Sequence, residues 1–232
     1  MDDQVIAAMA RWPNVPAVYG WLSLTARGEW RLHPRGEALN DSGSPGEAIT
    51  SPPILQFIGR NYAGDEKGRW YFQNGPQRVY VRLDAAPYIL HTTSEPADGG
   101  GLRTHNGLAV TAVSGWWLDS EGHLYARTEH GPALVAGRDL AAVMAVLQTP
   151  EGPDIMDRLA QGPVAADAIP VGADGAPLNF CPAEDIPAIL GFERYPQPDE
   201  VTTDRVALDR VAPVQHAPDR DGPAKGGPGK DA

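Results

Sequence analysis

Five side chains on two adjacent segments, Arg69, Tyr71, Arg78, Tyr80 and Arg82, offer the clearest prospect of chemistry in the sequence. Alternation along 69–73 places Trp70 and Phe72 on one face of a strand and Arg69, Tyr71 and Gln73 on the other. Beyond the tight-turn pair Asn74-Gly75, Val79, Val81 and Leu83 alternate with Tyr80 and Arg82. Guanidinium groups present a planar fork to carboxylate or phosphate, and aromatic faces hold cations and flat groups. Such a face fits an acidic small ligand or a protein partner. Four Arg and one Lys fall within 60–82, a local excess in a chain of net charge -11. The plainer expectation for the same residues is a solvated sheet face with cross-strand pairs.

A second group consists of His91, His105, His123 and His130, with Asp98, Asp119, Glu121 and Glu129 among them. Neutral imidazoles and carboxylates are ligands for zinc and related metals, so this group would underlie a metal-dependent hydrolase. No two of the histidines have the helical i, i+4 spacing or the H-x-H strand spacing that presents two ligands together, and turn or surface histidines are the simpler reading. Residues 65–68 and 119–122 look superficially like calcium loops but lack the oxygen ligands and the final bidentate Glu. Trp116 and Trp117, adjacent on a strand, point to opposite faces, and one could stack on a ligand. Cys181, between Phe180 and Pro182, reads as a small buried hydrophobe. There is no G-x-S-x-G elbow, and the glycines at 99–101 lack a phosphate-loop Lys. No catalytic residue and no cofactor are expected.

The elements that must position these groups are mostly strands and turns. Three segments, 20–32, 61–76 and 115–132, share a short connection ending in Gly (Gly28, Gly68, Gly122), with a bulky residue two positions on (Trp30, Trp70, Leu124). Asp65 and Asp119 open the last two turns, where an Asp side chain accepts from backbone two residues on. These predict three β-hairpins, with further strands at 79–83, 88–93 and 108–113. Helices are expected only later: one from Asp139 with a stripe of Leu140, Val143, Met144 and Leu147, one over 154–160, and one packing Ile186, Ile189 and Leu190 inward. A hairpin should turn at Asp174-Gly175. The sum is an α+β fold: a mainly antiparallel meander of hairpins over 15–135, with two or three short helices in a helical part over 137–192. Residues 1–195 form the single globular domain. From 196 on, six Pro, four Gly and no aromatic residue predict a disordered tail.

Bulk composition narrows the partners. Over 1–195, 14 basic residues face 23 acidic ones with no basic run, which disfavours nucleic acid and anionic membrane surfaces. The opening MDDQVIAAMARWP has acids where a signal peptide needs basic residues, and no stretch approaches a membrane span. A lone cysteine forbids an intrachain disulfide. A cytoplasmic location is expected.

The strings RWPNVPAVYGWLSL, FIGRNYAGDEKGRWYFQNGPQRVYV, THNGLAVTAV with WLDSEG, and GRDLAAVMAVL resemble an uncharacterised proteobacterial domain-of-unknown-function family of small cytoplasmic proteins. The resemblance covers about 10–192 and is most distinctive over 58–81. It implies a soluble bacterial protein and carries over no catalytic residue. The sequence thus points to a non-enzymatic binding protein using the arginine-aromatic face, with the metal-dependent hydrolase as its rival.

Overall fold

All three expected hairpins close with one local hydrogen-bond pattern. In each, a side-chain oxygen on the first turn residue accepts the backbone N–H groups two and four positions on. Thr25 does so for Arg27 and Glu29, Asp65 for Lys67 and Arg69, and Asp119 for Glu121 and His123. A related turn at 104–108 uses Thr104, whose hydroxyl accepts from Leu108. The fourth residue is glycine each time, at φ between 75° and 90°, where a Cβ would be strained. The hydrogen bonds that close these turns lie within five residues.

The computed structural model describes residues 1–41, 43–93, 101–147, 169–171 and 175–199. Within it, Met1–Pro198 form one compact unit. Two mixed sheets dominate. The first is built from β1 (Val18–Leu24), β2 (Trp30–Leu32), β3 (Glu47–Ala48), β4 (Tyr62–Gly64), β5 (Trp70–Asn74) and β6 (Gln77–Leu83), in the order β3-β2-β1-β6-β5-β4. The second contains β7 (Tyr88–Thr92), β8 (Leu102–Thr104), β9 (Ala109–Val110), β10 (Val113–Asp119), β11 (Leu124–Thr128), β12 (Gly131–Val135), β13 (Ile169–Val171) and β14 (Ala176–Cys181). Its order is β13-β14-β10-β11-β12-β7-β8-β9. Most pairings are antiparallel, as expected of hairpins. The parallel pairs β1–β6, β12–β7 and β10–β14 stitch the hairpins into sheets, which a simple meander does not include.

Among the described residues four short helices complete the α+β fold: α1 (Asp3–Arg11), α2 (Pro52–Arg60), α3 (Leu140–Val146) and α4 (Ile186–Leu190), the last following a 3-10 turn at Ala183–Asp185. The first two precede the C-terminal third. In α2, Pro52 and Pro53 occupy the first helical turn, where a missing N–H has no intrahelical partner to lose. Helix α1 is tied to the end of α2 by a forked ion pair from Arg60 to Asp2, which holds the Asp2 carboxyl below its ordinary value. In α3 the predicted stripe packs on the core, with Val143 and Leu147 buried. Asp139 stands at the N-cap position but does not cap; its carboxylate accepts instead from Thr92 and engages His91 on β7. In α4, Ile186 and Leu190 are buried while Ile189 is exposed. Five consecutive helical residues cannot all face inward, and Ile189 lies on the outer side.

Strands β13 and β14 pair antiparallel around the expected turn at Gly175. The helix expected over 154–160, the glycines at 99 and 100, Asp98, and the tail from 200 on lie outside the described residues. Among the described residues no helix is long and apolar enough to cross a membrane.

Candidate functional site

The hairpin β5–β6 pairs Tyr71 with Tyr80 and Gln73 with Arg78, so the predicted face does assemble. The neighbouring strand β1 adds Tyr19, whose ring stacks on Tyr80 at 4.6 Å and 7°. The turn at 65–68 then curls over one end of this face and brings Asp65 onto it.

Asp65 decides what Arg69 can do. The Arg69 guanidinium contacts Oδ2 of Asp65 at 2.8 Å, lies 4.8 Å over the Tyr80 ring and donates to the Gln197 carbonyl. The Tyr80 hydroxyl donates to the same carboxylate at 3.0 Å. Burial alone would raise the Asp65 carboxyl, but donors from Arg69, Tyr80 and Lys67 outweigh it and hold it below its ordinary value. Burial raises the Tyr80 hydroxyl, against the pull of Arg78. Arg69 and Tyr80 are thus engaged in a charge-assisted network that fixes the turn on the sheet.

Arg78 differs. It is half-buried, its guanidinium lies 4.5 Å over the Tyr71 ring, and among the described residues no carboxylate forms an ion pair with it. A cleft of about 380 Å³ opens beside it, lined by Asp65, Glu66, Lys67, Arg69, Tyr71 and Arg78. Three cations and two anions line the recess, a local positive balance on an acidic chain.

Arg82 does not belong to this cleft. It is 3% exposed, and alternation along β6 places it opposite Ser23 of β1. Its guanidinium donates to the carbonyls of Ala38, Asp41 and Ser44 and to the Asp84 carboxylate. The arginine therefore gathers the connection between β2 and β3 onto the sheet. Next to it Ser23 Oγ is 2.8 Å from Nε2 of the fully buried His33, whose Nδ1 is 3.3 Å from Ser44 Oγ. Burial and the Arg82 charge keep the His33 imidazole below its ordinary value. Nothing in the sequence pattern marked this network, because its members meet only through sheet pairing and loop closure.

The four histidines do not converge. His91 engages Asp139, and His130 contacts the Ala109 carbonyl at 2.8 Å. His105 sits against Trp30, Tyr62 and Tyr88, its Nδ1 accepting from Ile89 N–H while Nε2 is buried and unpartnered. Burial pushes its imidazole down to about 3. His123 pairs with Asp119 in the β10–β11 turn. Among the described residues, Asp119, Glu121 and His123 are the only metal-type side chains brought within reach of one ion. Asp119 Oδ1 is committed to the turn. Trp116 is buried and Trp117 half-buried beneath the Arg127 guanidinium, so neither offers an open stacking face. Cys181 is partly buried, and burial raises its thiol above its ordinary value.

Two features escaped sequence reasoning. Met9, Trp12, Pro13, Val15 and Pro76 line an apolar recess of about 280 Å³ that shares Arg78 with the cleft. On the opposite side of the first sheet, Trp21, Leu32, Ile54, Phe72 and Val79 line a larger apolar recess of about 510 Å³. Each recess carries a tryptophan that the structure leaves exposed, Trp12 in the first and Trp21 in the second, and exposure is not readable from sequence spacing.

Residues 1–197 match the family model DUF2944, described as "Protein of unknown function (DUF2946)". Among solved structures, a DUF1285 family protein from Silicibacter pomeroyi DSS-3 is similar at 15% identity and a TM-score of 0.44, over 80% of this chain and 98% of that one. A DUF1285 family protein from Shewanella baltica OS155 is similar at 12% identity and a TM-score of 0.38, over 54% and 91%. No curated protein matches the chain.

Proposed function

The chain belongs to the DUF2944 family of proteins of unknown function, and from its site geometry we propose a non-enzymatic binding protein that holds an anionic group in the cleft at Arg78. The observation that supports this reading is Arg78 itself. A half-buried guanidinium lying on Tyr71 and hydrogen-bonded to Tyr80, beside a cleft and without an ion-pair partner among the described residues, has a positive charge that a ligand's anionic group can pair with. Tyr71 keeps the fork planar against the sheet, and the Asp65–Arg69–Tyr80 network keeps the cleft wall in place. The ligand is an acidic small molecule or the acidic side chain of a partner protein. The single cysteine, which allows no intrachain disulfide, supports a cytoplasmic setting. A hydrolase resting on His91, His105, His123 and His130 has less support, since these side chains have separate local partners.

Thermal shift of the full chain with phosphate, citrate and hexaglutamate tests the proposal. A ligand at 100 times its dissociation constant stabilises by about 2.7 kcal/mol, or about 5 °C or more for a domain of this size. The shift should vanish in Arg78→Gln and persist in Arg127→Gln, a remote control. Equal shifts in wild type and Arg78→Gln, or no shift with any anion, would overturn it.

A further inference from the structure

The cleft at Arg78 has a neighbouring recess that shares this arginine in its lining. Arg78 lines the polar cleft on one side, and on the other it lines the recess formed by the end of α1, the segment 13–17 and the β5–β6 turn. The two differ in character. The first presents Lys67, Arg69 and Arg78 against Asp65 and Glu66, a net positive balance, whereas the second presents mainly Met9, Trp12, Pro13, Val15 and Pro76, with Gln73 also in its lining. Trp12 remains 49% exposed although it lines a concave surface, an arrangement that leaves indole area to be covered. Its other neighbour is Arg11, whose guanidinium lies 4.7 Å over the ring.

We propose that the occupant is a small aromatic carboxylate whose carboxylate meets Arg78 while its ring enters the recess beside Trp12. This reading rests on the anion-binding function proposed above and specifies its ligand class. Three considerations carry it. The cationic side calls for an anion by charge complementarity. The mainly apolar side has about 280 Å³, and a cavity of about 150 Å³ suffices for benzene, so one or two fused rings fit. A single arginine separates the two, so the acid and the ring must be close neighbours in one molecule. Pockets of this kind combine apolar walls with a few placed polar groups that fix orientation.

The test is isothermal titration of the full chain with 2-naphthylacetate, acetate, neutral 2-naphthylacetamide and the blocked dipeptide acetyl-Asp-Phe-amide. Naphthylacetate should bind at least about tenfold more tightly than acetate, given the apolar area of the ring removed from water. Trp12→Ala and Met9→Ala should each reduce that advantage while leaving acetate affinity unchanged. Arg78→Gln should abolish binding of both acids. Two different variants of the recess guard against one misfolding, and circular dichroism confirms the fold of each. Acetate binding that depends on Arg78 with no gain from the ring would overturn this inference and leave the anion-binding reading standing. Absence of Arg78-dependent binding by either acid would overturn both. Binding of the dipeptide but not naphthylacetate would replace the small molecule with a peptide partner and refute the proposal as stated.

Discussion

Replacing Arg82 with Met keeps the aliphatic stem and removes the charge and every donor. The guanidinium is 3% exposed and serves the carbonyls of Ala38, Asp41 and Ser44 at 3.0–3.4 Å, together with Asp84 at 3.1 Å. Hydrogen bonds from a charged group contribute roughly 1.5–3 kcal/mol each, and a buried acceptor left bare costs about 1–3 kcal/mol. Ala38 is fully buried, so its carbonyl has little access to water once the donor is gone. Asp41 is exposed and Asp84 partly so, and both can recover water. The net loss is therefore about 3 kcal/mol rather than the sum over all partners. For a unit of this size that lowers the melting temperature by roughly 6–12 °C. Arg78→Ala removes a half-buried stacked guanidinium, about 0.5–1 kcal/mol, and should shift it by a few degrees at most. Calorimetry and urea unfolding of both variants measure the difference. Limited proteolysis should also cut Arg82→Met faster within 34–46, the connection that the arginine holds. If Arg82→Met and Arg78→Ala prove equally stable, Arg82 is not the anchor of that loop and the assignment of the two arginines to different roles is wrong.

Other variants probe the turns and the buried histidine. Gly68 has φ +75°, and a Cβ there would lie 2.6 Å from the Gly191 carbonyl oxygen, whereas at Gly122, φ +85°, nothing lies within 4 Å. Gly122→Ala should cost about 1–2 kcal/mol from backbone conformation alone, and Gly68→Ala clearly more in urea unfolding. Equal losses would show that the approach of α4 to the turn is not tight. His105 has its imidazole pushed down to about 3, by burial first and by the His91 charge second. The unfolded chain then binds more protons than the folded one between about pH 6.5 and 3, so stability rises with pH across that window and falls on acidification. One such group contributes at most about 1.4 kcal/mol per pH unit. His105→Phe should flatten the stability profile above pH 5, leaving the smaller slope from His33, which burial also depresses. An unchanged slope would place a proton acceptor beside Nε2 and refute the buried, neutral ring.

The parts legible in the sequence are those whose physics is short in range. A turn such as 65–69 closes through an Asp side chain, two backbone donors and a glycine within five residues, so its hydrogen bonds can be read from spacing. Alternation separated Trp70 and Phe72 from Tyr71 and Gln73, and the register of β5 with β6 is the one it implies. The α3 stripe was equally local. Net charge is likewise independent of the fold, so the expectation that an acidic chain avoids nucleic acid needs no tertiary structure.

Only tertiary structure decided which polar residues are spent. Arg69, Arg78 and Arg82 look equivalent along the strands, and their difference comes from elsewhere in the chain. Asp65 folds back onto Arg69, three carbonyls from 38–44 close over Arg82, and no carboxylate among the described residues reaches Arg78. The same holds for the parallel pairs between hairpins and for Trp12, which lines one recess with Arg78 although more than sixty residues of chain separate them. A charge in water and a charge buried against a carboxylate have the same sequence symbol. Desolvation and partner geometry separate them, and both are properties of packing between segments distant in sequence.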